Sequence, residues 1–206
     1  MTNRRQEGEG GRPRDPRVDD AIIQATRDVL ATGGYARLTV DAVAARAGVG
    51  KAAIYRRYVT KQEMIFSATV GDARSESFPD AGSLSADLTL LCQRIARKLS
   101  ATTSDVLHGL LADLYVDPAL AARFTETFLG GERLIVVEVL QRAVEREELS
   151  RVPDPAVVHA LVMGPIFAWL LVLTEDPTKV HDLAHTVAQA TTALLTELGT
   201  KCDQAP

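Results

Sequence analysis

Residues 39–61 read TVDAVAARAGVGKAAIYRRYVTK, and this stretch decides the fold. A helix-turn-helix needs two short helices crossing at a tight turn. That in turn needs a small residue at the crossing, a glycine in the turn and apolar residues holding the second helix down. Ala44 supplies the small contact and Gly48, four positions later, the turn; Val43, Ala47 and Val49 are the flanking apolar positions, and Ile54 anchors the second helix. With Ile54 and Tyr58 one turn apart and facing inward, Ala52 and Arg56 face outward with Tyr55 beside them. That outward face suits a major groove. Arg56 can donate two bonds to guanine or clamp a phosphate, and Tyr55 offers a ring with a hydroxyl. Lys51 adds charge at a helix N-terminus, where the dipole already favours phosphate. Arg57 supplies a second cation next to Arg56.

Outward from this stretch the chain reads as helix after helix, because apolar residues recur at three and four and no segment alternates long enough for a strand. Asp-Pro occurs at Asp15-Pro16, Asp117-Pro118, Asp154-Pro155 and Asp176-Pro177. Asp as N-cap with Pro at the first helical position is a helix start with a mechanism, since Asp accepts an unpaired N–H and Pro withholds none that mattered. The first helix is expected over 16–32, with Val18, Ile22, Ala25 and Val29 inward and Gly33-Gly34 as its stop. Thr39 caps a helix through Arg46, and the second helix of the pair runs from Lys51 to Tyr58. Thr60 and Glu63 form a capping-box pattern that starts a helix expected to reach Ser77, before Phe78-Pro79. Leu84, Leu88, Leu91, Ile95 and Leu99 make one buried stripe. Further helices are expected over 105–115, 118–147, 155–173 and 178–198, with Gly130-Gly131 a weak point inside the second of these.

The 206 residues, 46% hydrophobic and 24% charged, have the composition of an ordinary globular protein. Two cysteines, Cys92 and Cys202, show no zinc-finger spacing, and the N-terminus lacks a secretory apolar region, so a reduced, cytoplasmic protein is expected. Cys92 falls on a buried helix side and reads as a small hydrophobe. The overall charge of −4 hides an asymmetry: residues 1–66 carry a net +4 and residues 67–206 a net −8. A basic first third joined to an acidic remainder suggests two jobs in one chain. Residues 1–14, rich in Arg and Gly, read as a basic disordered arm. The expected organisation is therefore all-α: the arm, a three-helix helix-turn-helix DNA-binding domain over 15–66, and a larger helical dimerisation and effector-binding domain over 67–206.

Residues 17–64 resemble the DNA-binding domain of the TetR/AcrR family of bacterial transcription regulators. The likeness rests on Gly33-Gly34-Tyr35, Leu38-Thr39, Val43-Ala44, Ala47-Gly48-Val49, Ile54-Tyr55, Tyr58 and Lys61. It implies that Thr39, Tyr55 and Lys61 contact the phosphate backbone, and that Lys51, Ala52 and Arg56 lie near bases or adjacent phosphates. Two positions depart from the family pattern. Gly50 stands where Ser is usual and Ala53 where Thr is usual, which removes an N-cap hydroxyl and one potential DNA contact and shifts weight to Arg56, Arg57 and the arm. Gln141 to Leu149 followed by Met163 to Leu173 resembles a subgroup of the family's C-terminal domains, whose late helices form a dimeric four-helix interface and whose earlier helices surround a ligand cavity.

The DNA-binding candidates are thus Thr39, Gly50, Lys51, Ala52, Tyr55, Arg56, Arg57 and Lys61. Candidates for lining an effector cavity are His108, Tyr115, Phe124, Phe128, Met163, Phe167 and Trp169, each of which fits a closed core as well. The run from Ala156 to Leu173 approaches a membrane span in length and is interrupted only by His159. Gly164-Pro165 at its middle and the absence of flanking Lys or Arg favour a core or dimer helix instead. His181 and His185 are four apart without a third ligand, so no metal site is expected. Glu145 to Glu148 reads as a solvated helix end. No nucleophile paired with a base, no phosphate loop and no cofactor motif is visible, which argues against an enzyme. The expected function is that of a homodimeric repressor, released from a palindromic double-stranded operator by a small-molecule effector. An architectural DNA-binding dimer without an effector is the alternative.

Overall fold

The computed structural model describes residues 15–71 and 78–202, with side chains to Glu197, and every regular element among them is helical. The helices are α1 (Pro16–Arg37), α2 (Val40–Ala47), α3 (Lys51–Tyr55), α4 (Lys61–Thr69), α5 (Leu84–Ser100), α6 (Ser104–Val116), α7 (Pro118–Phe124), α8 (Gly130–Glu145), α9 (Pro155–Phe167) and α10 (Val180–Cys202). The expected arm over 1–14 lies outside the described residues.

All four Asp-Pro starts act as the sequence expects. Asp15 accepts from the Arg17 N–H, Asp117 from Ala119 and Leu120, Asp154 from Ala156, and Asp176 from Thr178. Several boundaries differ. α1 is broken at Gly34 (φ 68°) and adds a last turn to Arg37, with Leu38 buried behind it. α4 ends at Thr69 and its chain turns at Gly71 (φ 75°), so the helix expected to reach Ser77 is shorter; residues 72–77 lie outside the described residues. The long helix expected over 118–147 passes instead through a π turn, Thr125–Leu129, that ends where Gly130-Gly131 begins. α9 likewise continues into a π turn, Ala168–Val172, three residues beyond Pro165.

Two apolar cores result. The larger joins α5, α8, α9 and α10 through residues such as Leu88, Leu91, Ile95, Val136, Val139, Val162, Ile166 and Ala188. Cys92 belongs to it, and burial pushes its thiol up to about 12, the behaviour expected of a small hydrophobe. The 155–172 run packs here, with Val158, Val162 and Ile166 fully covered. The smaller core gathers α1 to α4, but it is completed by Val106 and Leu110 of α6 and by Phe128. The boundary expected at 66/67 therefore separates the two charge regimes and not the packing.

One correction concerns Glu145 to Glu148. Glu145 and Glu147 are exposed, but Glu148 accepts from the Leu84 N–H at 2.9 Å, capping α5 from 64 residues away. Arg146 bonds Glu148 at 2.7 Å, Asp80 at 2.9 Å and the fully buried Asp87 at 2.9 Å. Arg142 adds bonds to the Phe78 and Pro79 carbonyls. The run looked solvated because its partners are far away in sequence. Removing one member of a buried charge pair leaves the other uncompensated, so Asp87→Ala should destabilise the fold by about 3–5 kcal/mol. Urea unfolding followed by circular dichroism checks this. A loss below about 1 kcal/mol would place the network with ordinary surface pairs.

Candidate nucleic-acid interface

The Thr39 hydroxyl accepts from the Ala42 N–H at 3.1 Å and starts α2. Gly48 (φ 67°) stops it, and the Val49 N–H returns to the Ala44 carbonyl at 3.0 Å. The chain re-enters helix at once, with Gly50 as an N-cap that makes no side-chain bond. α3 ends at Tyr55, three residues short of the expected end at Tyr58, with Arg56 as its C-cap and a closing bond from the Tyr58 N–H to the Ile54 carbonyl at 3.0 Å. Val43, Ala44 and Ile54 are buried, as the helix-turn-helix spacing requires.

Six of the eight DNA-binding candidates, Thr39, Gly50, Lys51, Ala52, Tyr55 and Arg56, are exposed. Lys51 is held by Asp41 at 2.7 Å, but both side chains are more than half exposed, and such a pair is weak enough for a phosphate to displace it. Lys61 is half-buried, with Nζ 5.2 Å from the centre of the Tyr35 ring. Arg57 corrects the sequence reading. Its guanidinium turns back to the Asp19 carboxylate, to the Ala53 carbonyl at 3.1 Å and to the Asp15 carbonyl at 3.5 Å, leaving its side chain 12% exposed. Adjacent residues on a helix point about 100° apart, so of two neighbouring arginines one faces out and the other meets α1.

Behind this surface lies a joint between the two cores. Tyr35 Oη donates to Asp113 at 2.5 Å, Gln62 Nε2 donates to the same oxygen at 2.6 Å, and the Tyr35 N–H reaches Asp105 at 3.2 Å. The Tyr35 ring lies against Gly109, where an added Cβ would stand 2.2 Å from it. Hydrogen bonds from Gln62 and then Tyr35 hold the Asp113 carboxyl below the usual carboxylate range. The Thr60 hydroxyl caps α4 through the Glu63 N–H at 3.1 Å. The Glu63 carboxylate reaches back one residue further than a capping box does, to the Val59 N–H at 2.8 Å, and also accepts from Arg123 at 2.8 Å. Phe66 stacks among Phe124 and Phe128, with ring centres 4.2 and 5.3 Å away.

The seven cavity candidates do not converge. Tyr115 is 92% exposed at the end of α6, so it lines nothing. Phe124 and Phe128 belong to the aromatic joint. Both ring nitrogens of the exposed His108 lie against carbonyls, Ser104 at 2.6 Å and Leu171 at 3.0 Å. Met163 and Trp169 pack on the larger core, Phe167 is half-buried, and Trp169 Nε1 donates to the Asp176 carbonyl at 3.1 Å. None of the seven borders the clefts at 149–158 with 194–195, at 27–31 with 101–106, or at 99–107 with 170–177. The sequence reading missed the buried Glu132 and His159 and the half-buried Lys98 that pairs with Glu132. Their one visible trace was His159, the sole interruption of an apolar run.

Residues 22–68 match the model of bacterial regulatory proteins of the tetR family, and residues 78–195 match that of the tetracyclin repressor-like C-terminal domain. The chain is 32% identical over 189 residues to the HTH-type transcriptional regulator YdeS of Bacillus subtilis, covering 89% of this chain and 96% of the relative. It is 30% identical over 143 residues to the DNA-binding transcriptional repressor TetR of Mycobacteroides abscessus, covering 68% and 74%. Among solved structures, a TetR-family transcription regulator superposes with a TM-score of 0.65 at 24% identity, covering 84% of this chain and 97% of that one. The regulator FadR from Bacillus subtilis, in complex with stearoyl-CoA, superposes with a TM-score of 0.55 at 17% identity, with coverage of 84% and 97%.

Arg57→Ala should cost folding stability, about 1.5–3 kcal/mol for its charge-assisted bonds, while Arg56→Ala should leave the melting midpoint unchanged; thermal denaturation of the two variants without DNA separates the roles. The joint has a pH dependence of defined sign. A carboxyl whose value is depressed in the fold stabilises above its ordinary value and loses that contribution as pH falls through the depressed one. Wild type should therefore be more stable than Asp113→Asn above about pH 4, and the gap should close below it. A gap that stays constant down into acid would assign no such role to the Asp113 charge.

Proposed function

We propose that this chain, which belongs to the TetR family of bacterial transcriptional regulators, acts as a cytoplasmic homodimeric repressor that a small molecule releases from a palindromic operator. That it is a transcriptional regulator with a helix-turn-helix for DNA follows from the family; the finer reading rests on the following. The carrying observation is the set of six exposed candidates on α3, on the residues that flank it and at the N-cap of α2, with Arg56 left outward while Arg57 braces α1. In this reading Thr39 and Tyr55 take phosphates with Lys61, and Lys51, Ala52 and Arg56 approach bases or neighbouring phosphates. One short recognition helix makes too few contacts for specificity, so two related by a two-fold axis occupy successive major grooves roughly 34 Å apart.

Dimerisation through the late helices is supported by the 155–172 run, which has a mean hydropathy of 2.0 yet is only 28% buried within one copy. Val157 and Leu194 remain 55% and 41% exposed, and uncovered apolar surface of this kind marks an interface. Release follows from the joint. An effector that moves α6 or α8 relative to α4 changes the spacing of the two recognition helices, because Tyr35, Gln62, Glu63 and Phe66 all hold residues of the larger domain. Such coupling is typically about 1–3 kcal/mol and reciprocal. The name of the mycobacterial relative supports repression, and the acyl-CoA bound to FadR supports an effector with a large apolar part. That none of the seven candidates borders the three clefts described above favours a second reading, an architectural dimer with no effector.

Selection of bound sequences from a random DNA pool at two salt concentrations tests the proposal. A palindrome recovered by wild type and lost by Arg56→Ala is expected. Recovery of no motif, with binding that only weakens as salt rises, would transfer the assignment to the architectural dimer.

A further inference from the structure

The larger core holds three polar side chains that DNA binding does not use. Lys98 of α5 pairs with Glu132 in the first turn of α8 at 2.7 Å, their side chains 22% and 11% exposed. His159 of α9 is near enough for Glu132 to favour its protonated form, although burial outweighs this and holds the imidazole below its usual value. Glu132 and His159 are 9% and 4% exposed. The lysine satisfies only Oε1 of Glu132. Glu132 Oε2 and His159 Nε2 are both buried without a hydrogen-bond partner among the described residues. Leaving a buried polar atom unpaired forfeits its hydration without return, and two such atoms in one well-packed core call for a function.

We propose that Lys98, Glu132 and His159 form the polar end of the effector site, which takes an uncharged molecule carrying a hydroxyl group on a hydrocarbon body. This rests on the effector reading above. An ionised Glu132 Oε2 only accepts, so the ligand atom that meets it must donate. A neutral imidazole nitrogen donates or accepts according to its tautomer, and a hydroxyl offers both roles from one atom. Charge selects in the same direction. Lys98 and Glu132 cancel, so a carboxylate ligand would meet an acidic side chain, and an ammonium would add a cation beside Lys98 and Arg133. Ile95, Ile135, Val136, Val158 and Val162, on the same three helices and in the same buried cluster, provide for the hydrocarbon body.

The site is also placed to act on DNA binding. Glu132 opens α8 directly after the Thr125–Leu129 π turn, a kind of turn found frequently at functional sites. Phe128 within that turn packs on Phe66 of α4. A molecule seated against Glu132 displaces the start of α8, and Phe128, four residues earlier, carries that displacement into the helix that follows the recognition helix.

The test uses the full-length protein and its single tryptophan, Trp169, which packs on the same core. Hexanol, octanol and decanol are titrated against the carboxylate and the amine of matching length. At least one alcohol should give a saturable fluorescence change about tenfold or more below its charged counterparts, equivalent to about 1.4 kcal/mol. His159→Leu should weaken that alcohol by a similar factor. The double variant Lys98→Met with Glu132→Met, which strands no charge, should lose the preference for the hydroxyl and guards against a folding defect in the first. No saturable binding of any alcohol, equal binding of the carboxylate, or unchanged binding in both variants would overturn the assignment. Operator release is read in parallel. An alcohol bound through His159 that leaves operator affinity unchanged supports the site and overturns the effector reading. An effector that releases operator equally from wild type and His159→Leu overturns the site and leaves the effector reading standing.

Discussion

The helix-turn-helix of this chain is too small to close a core of its own. α2 has eight residues and α3 five, and helices of that length are marginal without tertiary packing. The interaction on which the rest depends is the seating of Tyr35 and Phe66 against α6 and the Phe124–Phe128 segment. Val106, Leu110 and Phe128 complete the smaller core, and Tyr35 fits only because residue 109 is glycine. The orientation of the DNA-binding surface is thereby made a property of the larger domain. A rigid joint of rings, hydrogen-bonded carboxylates and one glycine has few intermediate arrangements, so the helix-turn-helix is held at a set angle to the larger domain.

Charge is divided by the same geometry. Arg56 and Arg57 are neighbours of equal chemistry, yet one is exposed and the other is spent on Asp19 and two carbonyls of the chain. Arg57 fixes the end of α3 to the start of α1, so that the cation left outside is presented from a braced helix. Glu63 divides its two oxygens similarly, one capping α4 and the other holding Arg123. These side chains do structural work that makes the exposed ones useful.

Within the larger domain, buried polarity is treated in two ways. Around Asp87, Arg146 and Glu148, each charge finds several partners, and the network ties the chain at 78–84 to the end of α8. At the opposite end of α8, Glu132 keeps one oxygen buried without a partner among the described residues, and the His159 ring on α9 likewise keeps one nitrogen. Arg142, between the two groups on the same helix, shares both features, its two terminal nitrogens bonded and its Nε buried without a partner among the described residues.

The sequence by itself determined the all-α class, the four Asp-Pro starts, the glycine turn, the inward set Val43, Ala44 and Ile54, and the outward set that includes Tyr55 and Arg56. All of these depend on residues within about one or two helical turns of each other, where periodicity and capping chemistry act. Only the tertiary structure decided that Arg57 braces α1, that Glu148 caps α5, that Tyr115 is exposed and that Phe124 and Phe128 serve the joint. The reason is separation along the chain. Arg57 and Asp19 are 38 residues apart, Leu84 and Glu148 64, and Tyr35 and Asp113 78. A helical period says which face a residue occupies, but which element covers that face is settled by packing among helices that the local sequence does not encode.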